Sequence, residues 1–245
     1  MSSDMSAETS AAKESLAALH GEALDAALSR RWSTATEAVT VGDHDWTLFK
    51  PANADHLISE ADYVMDERLP YWADLWPSAR VLAAAMLREA GSGRRLLEMG
   101  CGLGLATVAA MQAGFDVLAT DYYDEALHVT RGNAARNLGR EPAVQLVNWR
   151  AWPEELGGFD VIIAADVLYE KEYALLVAEC IRRALAPHGV AIVADPGRLA
   201  LPDFRAHAAA TGLTIEDAER VPYEAGAVKQ EVQVMRVRHA PPARD

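Results

Sequence analysis

Along this chain, apolar runs about one strand in length alternate with longer stretches whose apolar positions recur at helical spacing. The unit RRLLEMGCGLGLATVAAMQAGFDVLATD, from Arg94 to Asp121, shows the rhythm most sharply. Arg95 to Glu98 is an apolar run ending on a carboxylate, and Gly100, Gly102 and Gly104 follow on alternate positions. Leu103 to Ala113 then carries helical spacing, and Phe115 to Thr120 is a second apolar run that delivers Asp121. The pattern predicts strand, tight loop, helix and strand, with an acid closing each strand. Downstream it predicts a helix from Asp124, as its cap, to Asn137, a third strand over Ala143 to Val147 and a fourth over Phe159 to Ala165. A helix over Glu170 to Ala186, a fifth strand over Gly189 to Ala194 and a helix over Pro202 to Thr211 complete the alternation. Such a rhythm implies right-handed crossovers and a mostly parallel sheet covered on both faces, an α/β class of Rossmann-like type. Two more strands, Leu213 to Arg220 and Lys229 to Val237, are expected around a Pro-Tyr-Glu-Ala-Gly turn at Pro222 to Gly226.

Ahead of this region the pattern changes. Residues 1–12 are rich in Ser, Ala and Glu and are expected to be disordered. Leu16, Leu19, Leu24 and Leu28 mark an amphipathic helix from Lys13 to Trp32, weakened by Gly21. Thr36 to Val41 and Asp45 to Phe49, separated by Gly42-Asp43, predict a β-hairpin. Asn53 or Asp55 caps a short helix through Ala61, and Ser78 to Ala90 reads as a helix stopped by Gly91. The division expected is a helix-and-hairpin extension over 13–66, the main α/β domain over 67–238 and a tail over 239–245.

Composition narrows the chemistry. The 245 residues suffice for one large domain, and a net charge of -13, without a Lys/Arg cluster, disfavours nucleic acid as a partner. A basic protein or a small cation suits that field better. No apolar run approaches a membrane span and the N-terminus lacks an apolar leader, so no membrane association and a cytoplasmic location are expected. Only Cys101 and Cys180 occur, which fits a reducing compartment, and the seven histidines lack ligand spacing, so no metal is expected.

The glycines of the first loop let backbone approach a ligand closely, while Asp121, closing the second strand, can accept both hydroxyls of a ribose. The ligand should therefore contain a nucleoside. A dinucleotide fingerprint counted from Gly100 needs its last glycine where this chain has Leu105, so the pyrophosphate reading fails. Polar residues recur at the strand ends: Glu98, Asp121, Asn148-Trp149, Asp166 to Tyr169, and Asp195. Each alone has a turn or packing explanation, but five together point to the carboxyl edge of the sheet as a site.

Glu98-x-Gly100-x-Gly102-x-Gly104 resembles the first motif of the class I S-adenosylmethionine (SAM) methyltransferases. Asp166-Val167-Leu168-Tyr169 resembles the Asp-x-x-Tyr mark of the family 16 lysine methyltransferases. Leu69-Pro70-Tyr71-Trp72-Ala73 and Asp195-Pro196-Gly197-Arg198 are similar to the bacterial branch related to the methyltransferase for the electron-transfer flavoprotein β subunit. Pro77-Ser78-Ala79-Arg80 stands where relatives acting on that flavoprotein carry Gly-Gly-Gln. The resemblance covers about Thr47 to Val237 and implies a seven-strand sheet whose last strand runs antiparallel. It places Trp76 against the methionine part of SAM and Glu98 near its ammonium. Gly100, Cys101, Gly102 and Gly104 would lie beneath the cofactor, Asp121 on the ribose, Trp149 beside adenine and Ala165 at the cofactor wall, with Tyr122 also among the cofactor-binding residues. Asp166 and Tyr169 are the implied catalytic pair facing the substrate.

In such a site the activation lies in the cofactor, and the protein must position and desolvate a neutral nucleophile. Asp166 is expected to capture and aim a lysine ammonium, with Tyr169 orienting the nitrogen; Trp72 and Trp76 either hold a cation or pack as a lid. The implied activity is methylation of lysine on a protein, by a monomer or weak dimer. Rival readings are a small-molecule N-methyltransferase of the nicotinamide type, taking a small amine, and a non-catalytic SAM-binding module.

Overall fold

The computed structural model describes residues 16–57 and 69–241. The disordered N-terminus expected over residues 1–12, the start of the helix expected from Lys13, the end of the short helix expected through Ala61 and residues 242–245 of the expected tail lie outside them.

The main sheet has seven strands: β3 (Arg95–Met99), β4 (Asp116–Asp121), β5 (Ala143–Leu146), β6 (Phe159–Ala165), β7 (Leu185–Asp195), β8 (Leu213–Ala225) and β9 (Val228–His239). Their spatial order is β5-β4-β3-β6-β7-β9-β8. β5, β4, β3, β6 and β7 pair in parallel, and only β9 runs against its neighbours. The antiparallel final strand implied by the sequence is therefore present. Between the strands lie α2 (Pro77–Met86), α3 (Leu105–Gln112), α4 (Asp124–Leu138), α5 (Lys171–Ala184) and α6 (Leu201–Ala210). Alternation within the strands splits the core in two. Val161, Ile163, Ile192 and Ala194 join one buried cluster with residues of α2, α3 and α4, while Ile162, Ala164, Ala191 and Val193 join the other with α5 and α6. Among the described residues no helix is long and apolar enough to cross a membrane.

The N-terminal extension sits on α4. α1 (Gly21–Arg31) follows a separate helical turn at Leu16, and Gly21, at φ +52°, opens α1 instead of weakening the middle of one long helix. β1 (Thr34–Val41) and β2 (His44–Pro51) form the expected two-stranded hairpin. Asn53 is the residue that caps, its Oδ1 accepting from the Asp55 amide at 2.8 Å. Asn133 of α4 ties three parts together: its Oδ1 accepts from Phe49 N at 2.7 Å, and its Nδ2 donates to Phe49 O at 3.0 Å and Leu103 O at 2.9 Å.

Two local expectations are corrected. Asp124 opens α4 as its first helical residue, because Tyr123 occupies the cap and Asp121 Oδ1 accepts from the Tyr123 amide at 3.0 Å. Pro222 to Ala225 continue β8, in register with Glu231 to Val228, and the chain turns only at Gly226-Ala227. β8 is an edge strand, where a proline forfeits no ladder bond on its outer side.

Candidate active site

The strand order reverses between β3 and β6, so their carboxyl ends open a crevice between two diverging connections, the place where open α/β sheets bind ligands. A cavity of about 300 Å³ lies there. Every residue expected at the site lines it: Trp76, Glu98, Gly100, Cys101, Gly102, Gly104, Asp121, Tyr122, Trp149, Ala165, Asp166 and Tyr169.

Its floor is the loop from β3 to α3. The amides of Gly100 and Cys101 donate to Thr120 O at 2.9 and 3.0 Å, which binds the loop to the end of β4. Gly104 has φ +78°, and a Cβ there would meet Thr130 Oγ1 at 2.7 Å; at Gly102 a Cβ would lie 3.2 Å from the Trp72 carbonyl. The floor is thus backbone of a thickness that side chains would spoil. Asp121 anchors it, Oδ2 accepting from the Gly102 amide at 3.0 Å, and burial raises this carboxyl above its ordinary range. Cys101 is an uncharged wall, its thiol raised far above the ordinary range, first by burial and then by the Asp121 and Glu98 charges.

Glu98 is buried at the end of β3, and Thr107 of α3 donates to its Oε2. Burial pushes its carboxyl up to about 8, with Asp121 adding repulsion and the Thr107 hydrogen bond opposing. An ionisable group so perturbed at a cavity wall marks a functional site. On the far side, Trp149 stands edge-on to Tyr173 with ring centroids 5.5 Å apart, and its ring atoms come within 3.7 Å of the space above Gly100.

The mouth is aromatic. Tyr71, Tyr169 and Tyr173 form a file of edge-to-face rings, at 5.3 Å and 4.9 Å. Tyr71 and Tyr169 remain 41% and 40% exposed, so the file is open to an incoming group. Burial first, and then Tyr173, raises the Tyr169 hydroxyl far above its ordinary range, which keeps it a proton donor at neutral pH. Trp76 is half-buried and donates Nε1–H to Tyr71 O at 2.8 Å, whereas Trp72 is buried against Trp32, 5.9 Å between rings. Trp72 packs against Trp32 and also lines the cavity, so both alternatives for it stay open.

Asp166, expected to capture and aim an ammonium, already has two side-chain partners in the folded chain. It is the one non-glycine residue at positive φ (+60°) among the described residues, a conformation Asp tolerates better than most, and its amide donates to Ala194 O at 2.9 Å. Oδ1 accepts from Arg198 Nε at 2.7 Å and Oδ2 from Ser78 Oγ at 3.2 Å. Among the residues that sequence reasoning left off the site are Tyr71 and Tyr173, which line the cavity, and Arg198 and Ser78, which hold Asp166. The Asp-Pro-Gly-Arg stretch after β7 and the Leu-Pro-Tyr-Trp stretch before α2 were the available signals for Arg198 and Tyr71.

The donor set selects the ligand. A glycine floor between two acidic side chains, with Arg150 the one guanidinium lining the cavity among the described residues and already hydrogen-bonded to Glu172, suits a sugar and an ammonium better than a phosphate. SAM, which carries a ribose, an ammonium and a sulfonium, fits these residues. Residues 70–235 match the methyltransferase domain family. The chain belongs to that family. This methyltransferase-family chain is 34% identical over 133 residues to the electron transfer flavoprotein β subunit lysine methyltransferase of Xenopus laevis, covering 53% of each chain. It is 37% identical over 117 residues to protein N-lysine methyltransferase METTL21A of Danio rerio, covering 43% of this chain and 52% of the relative. It thus spans about half the length of these curated relatives. A TehB-like SAM-dependent methyltransferase from Corynebacterium glutamicum superposes with a TM-score of 0.53 at 23% identity, over 68% of this chain and 89% of that one, and shares the fold.

Proposed function

We propose that the chain is a SAM-dependent N-methyltransferase whose acceptor is a lysine side chain of a protein. The observation that carries this reading is the cavity itself: a glycine floor flanked by Glu98 and Asp121, opening through the Tyr71–Tyr169–Tyr173 file. Aromatic walls accept the methylene stem of lysine and favour its cationic head. Both relatives described above are named for lysine methylation of protein, which supports the side chain as acceptor class without selecting the protein that bears it. Cys101 and Cys180, both unpaired and buried, support a reducing, cytoplasmic setting.

The bound cofactor supplies an electrophilic methyl group on a positively charged sulphur. The protein's part is positional. Asp121 takes the ribose hydroxyls, Glu98 the methionine ammonium, Trp149 the adenine face and Trp76 the methionine end. Tyr169, a hydroxyl that keeps its proton, orients the acceptor nitrogen by hydrogen bonding and leaves the deprotonation of that nitrogen to water.

The test is incubation of the full chain with tritiated SAM and cell lysate, separated into protein, nucleic-acid and small-molecule fractions, with the protein hydrolysed for methyllysine. Label in methyllysine, lost with Asp121→Ala, is the expected result. Label confined to small molecules would replace protein lysine by a small amine as acceptor, and SAM binding without any transfer would leave only a binding module.

A further inference from the structure

The segment after β7 folds back on the acceptor wall. Asp195 Oδ1 accepts from the amides of Gly197 and Arg198, both at 2.8 Å, which fixes the backbone. The Arg198 side chain then reaches β6, where Nε donates to Asp166 Oδ1 at 2.7 Å and the guanidinium lies 5.3 Å from the Trp76 ring centroid. The Asp166 side chain is 4% exposed and that of Arg198 33%. An internal cation therefore already holds both features, carboxylate and indole face, that an incoming ammonium would use.

Methyl transfer needs the acceptor amine neutral, whereas an opposite charge within about 4–6 Å favours the protonated form. A bare Asp166 would hold lysine in its unreactive state. We propose that Arg198 is a positioning residue that neutralises Asp166, so that the acceptor wall presents an ion pair in place of an anion and a lysine amine is not retained as ammonium. This rests on the methyltransferase reading above. The surroundings make the cation necessary. Asp195 ends the neighbouring strand, Tyr169 and Glu170 follow Asp166, Tyr173 faces in from α5, Ser78 from α2, and Glu98 and Asp121 lie across the cavity; none of these brings a positive charge, and the guanidinium of Arg150, which also lines the cavity, is hydrogen-bonded to Glu172.

SAM and S-adenosylhomocysteine differ by one methyl and one positive charge at sulphur, so their affinity ratio reads the field at the reacting centre. Packing losses, such as the lost stacking on Trp76, act on both ligands and cancel in the ratio. The experiment is calorimetric titration of both ligands from pH 6 to 9 into the full chain, Arg198→Met, Arg198→Lys and the double variant Arg198→Met/Asp166→Asn. In Arg198→Met the negative charge of Asp166 stands on the acceptor wall without its counter-charge. SAM should then gain on S-adenosylhomocysteine by about tenfold relative to the parent, the size of a one-unit pKa change. Arg198→Lys and the double variant should track the parent, while Arg198→Gln, neutral but able to donate, should behave as Arg198→Met and serves if the methionine variant does not fold. A parent-like ratio in the neutral variants, or a shift that survives in the double variant, overturns the proposal. A parent that binds neither ligand removes the methyltransferase reading and this inference with it.

Discussion

Glu98→Gln separates two properties that one carboxyl combines. In the ligand-free protein, Glu98 is a buried acid held neutral up to about 8, against an ordinary value of 4.5. The unfolded chain ionises near 4.5, so between these values the native state holds the extra proton and its stability falls as pH rises. At about 1.36 kcal/mol per pH unit, the full span corresponds to ~5 kcal/mol, and contact of the wall with cavity water reduces the expected figure to about 2–4 kcal/mol. Glutamine cannot ionise, and its amide oxygen can still accept from Thr107, which donates to Glu98 Oε2. Urea unfolding without ligand should therefore find Glu98→Gln more stable than the parent, by a margin that widens from pH 5.5 to pH 9. SAM binding should move the other way. An ammonium placed against Glu98 favours the carboxylate, so binding near pH 7 should release a proton from the parent, seen as a dependence of calorimetric heat on buffer ionisation enthalpy. Glu98→Gln should bind SAM more weakly and release no such proton. A stability margin that is flat or narrows with pH would refute the reasoning, because it would mean that Glu98 ionises in the folded protein much as it does in water.

Gly104→Ala should lower stability by about 1–3 kcal/mol and weaken SAM binding, since a side chain at φ +78° would meet Thr130 both at Oγ1 (2.7 Å) and at Cα (3.0 Å); thermal unfolding and calorimetry check it. Arg131→Met should cost about 3–5 kcal/mol and speed amide exchange across residues 16–31 ahead of the rest. Arg131 is buried, with Nε on Glu141 Oε2 at 2.8 Å and a second guanidinium nitrogen on Leu19 O at 2.8 Å, so it fastens the N-terminal segment to α4. Burial raises the Glu141 carboxyl, but hydrogen bonds from His20 and Arg131 outweigh it and hold the group below its ordinary 4.5. The latch should accordingly be complete above about pH 4.5 and fail as pH falls through the lower folded value.

The α/β plan was legible because parallel strands buried on both faces leave continuous apolar runs. Phe159–Ala165 matches its expected bounds, and β3, β4 and β5 fall within a residue of theirs. Local pattern said less where tertiary contact overrides it. Gly21 read as a flaw inside a helix, yet at φ +52° it is the hinge from which α1 starts, placed by the Glu141 carboxylate that accepts from its amide at 3.3 Å. Pro222 and Gly226 read as one long turn, but an edge strand can carry the proline, so β8 runs on to Ala225.

The same distinction divides the site. Glycines and acids at strand ends are visible one element at a time, because each owes its place to the local break from strand to loop. Pairings between elements are not. Asp166 reads as an open carboxylate until the loop 32 residues later brings Arg198 to it, and nothing in either stretch alone encodes that meeting. What the fold adds is the sign of the wall. Read alone, the strand ends supply a cavity wall rich in acids, and the folded chain brings the Arg198 guanidinium to one of them, so that Asp166 meets the cavity as half of an ion pair. The acids of the floor thus come from the ends of β3 and β4, and the guanidinium that meets Asp166 comes from the segment after β7, so the charge of the site is set by elements distant from one another in the chain.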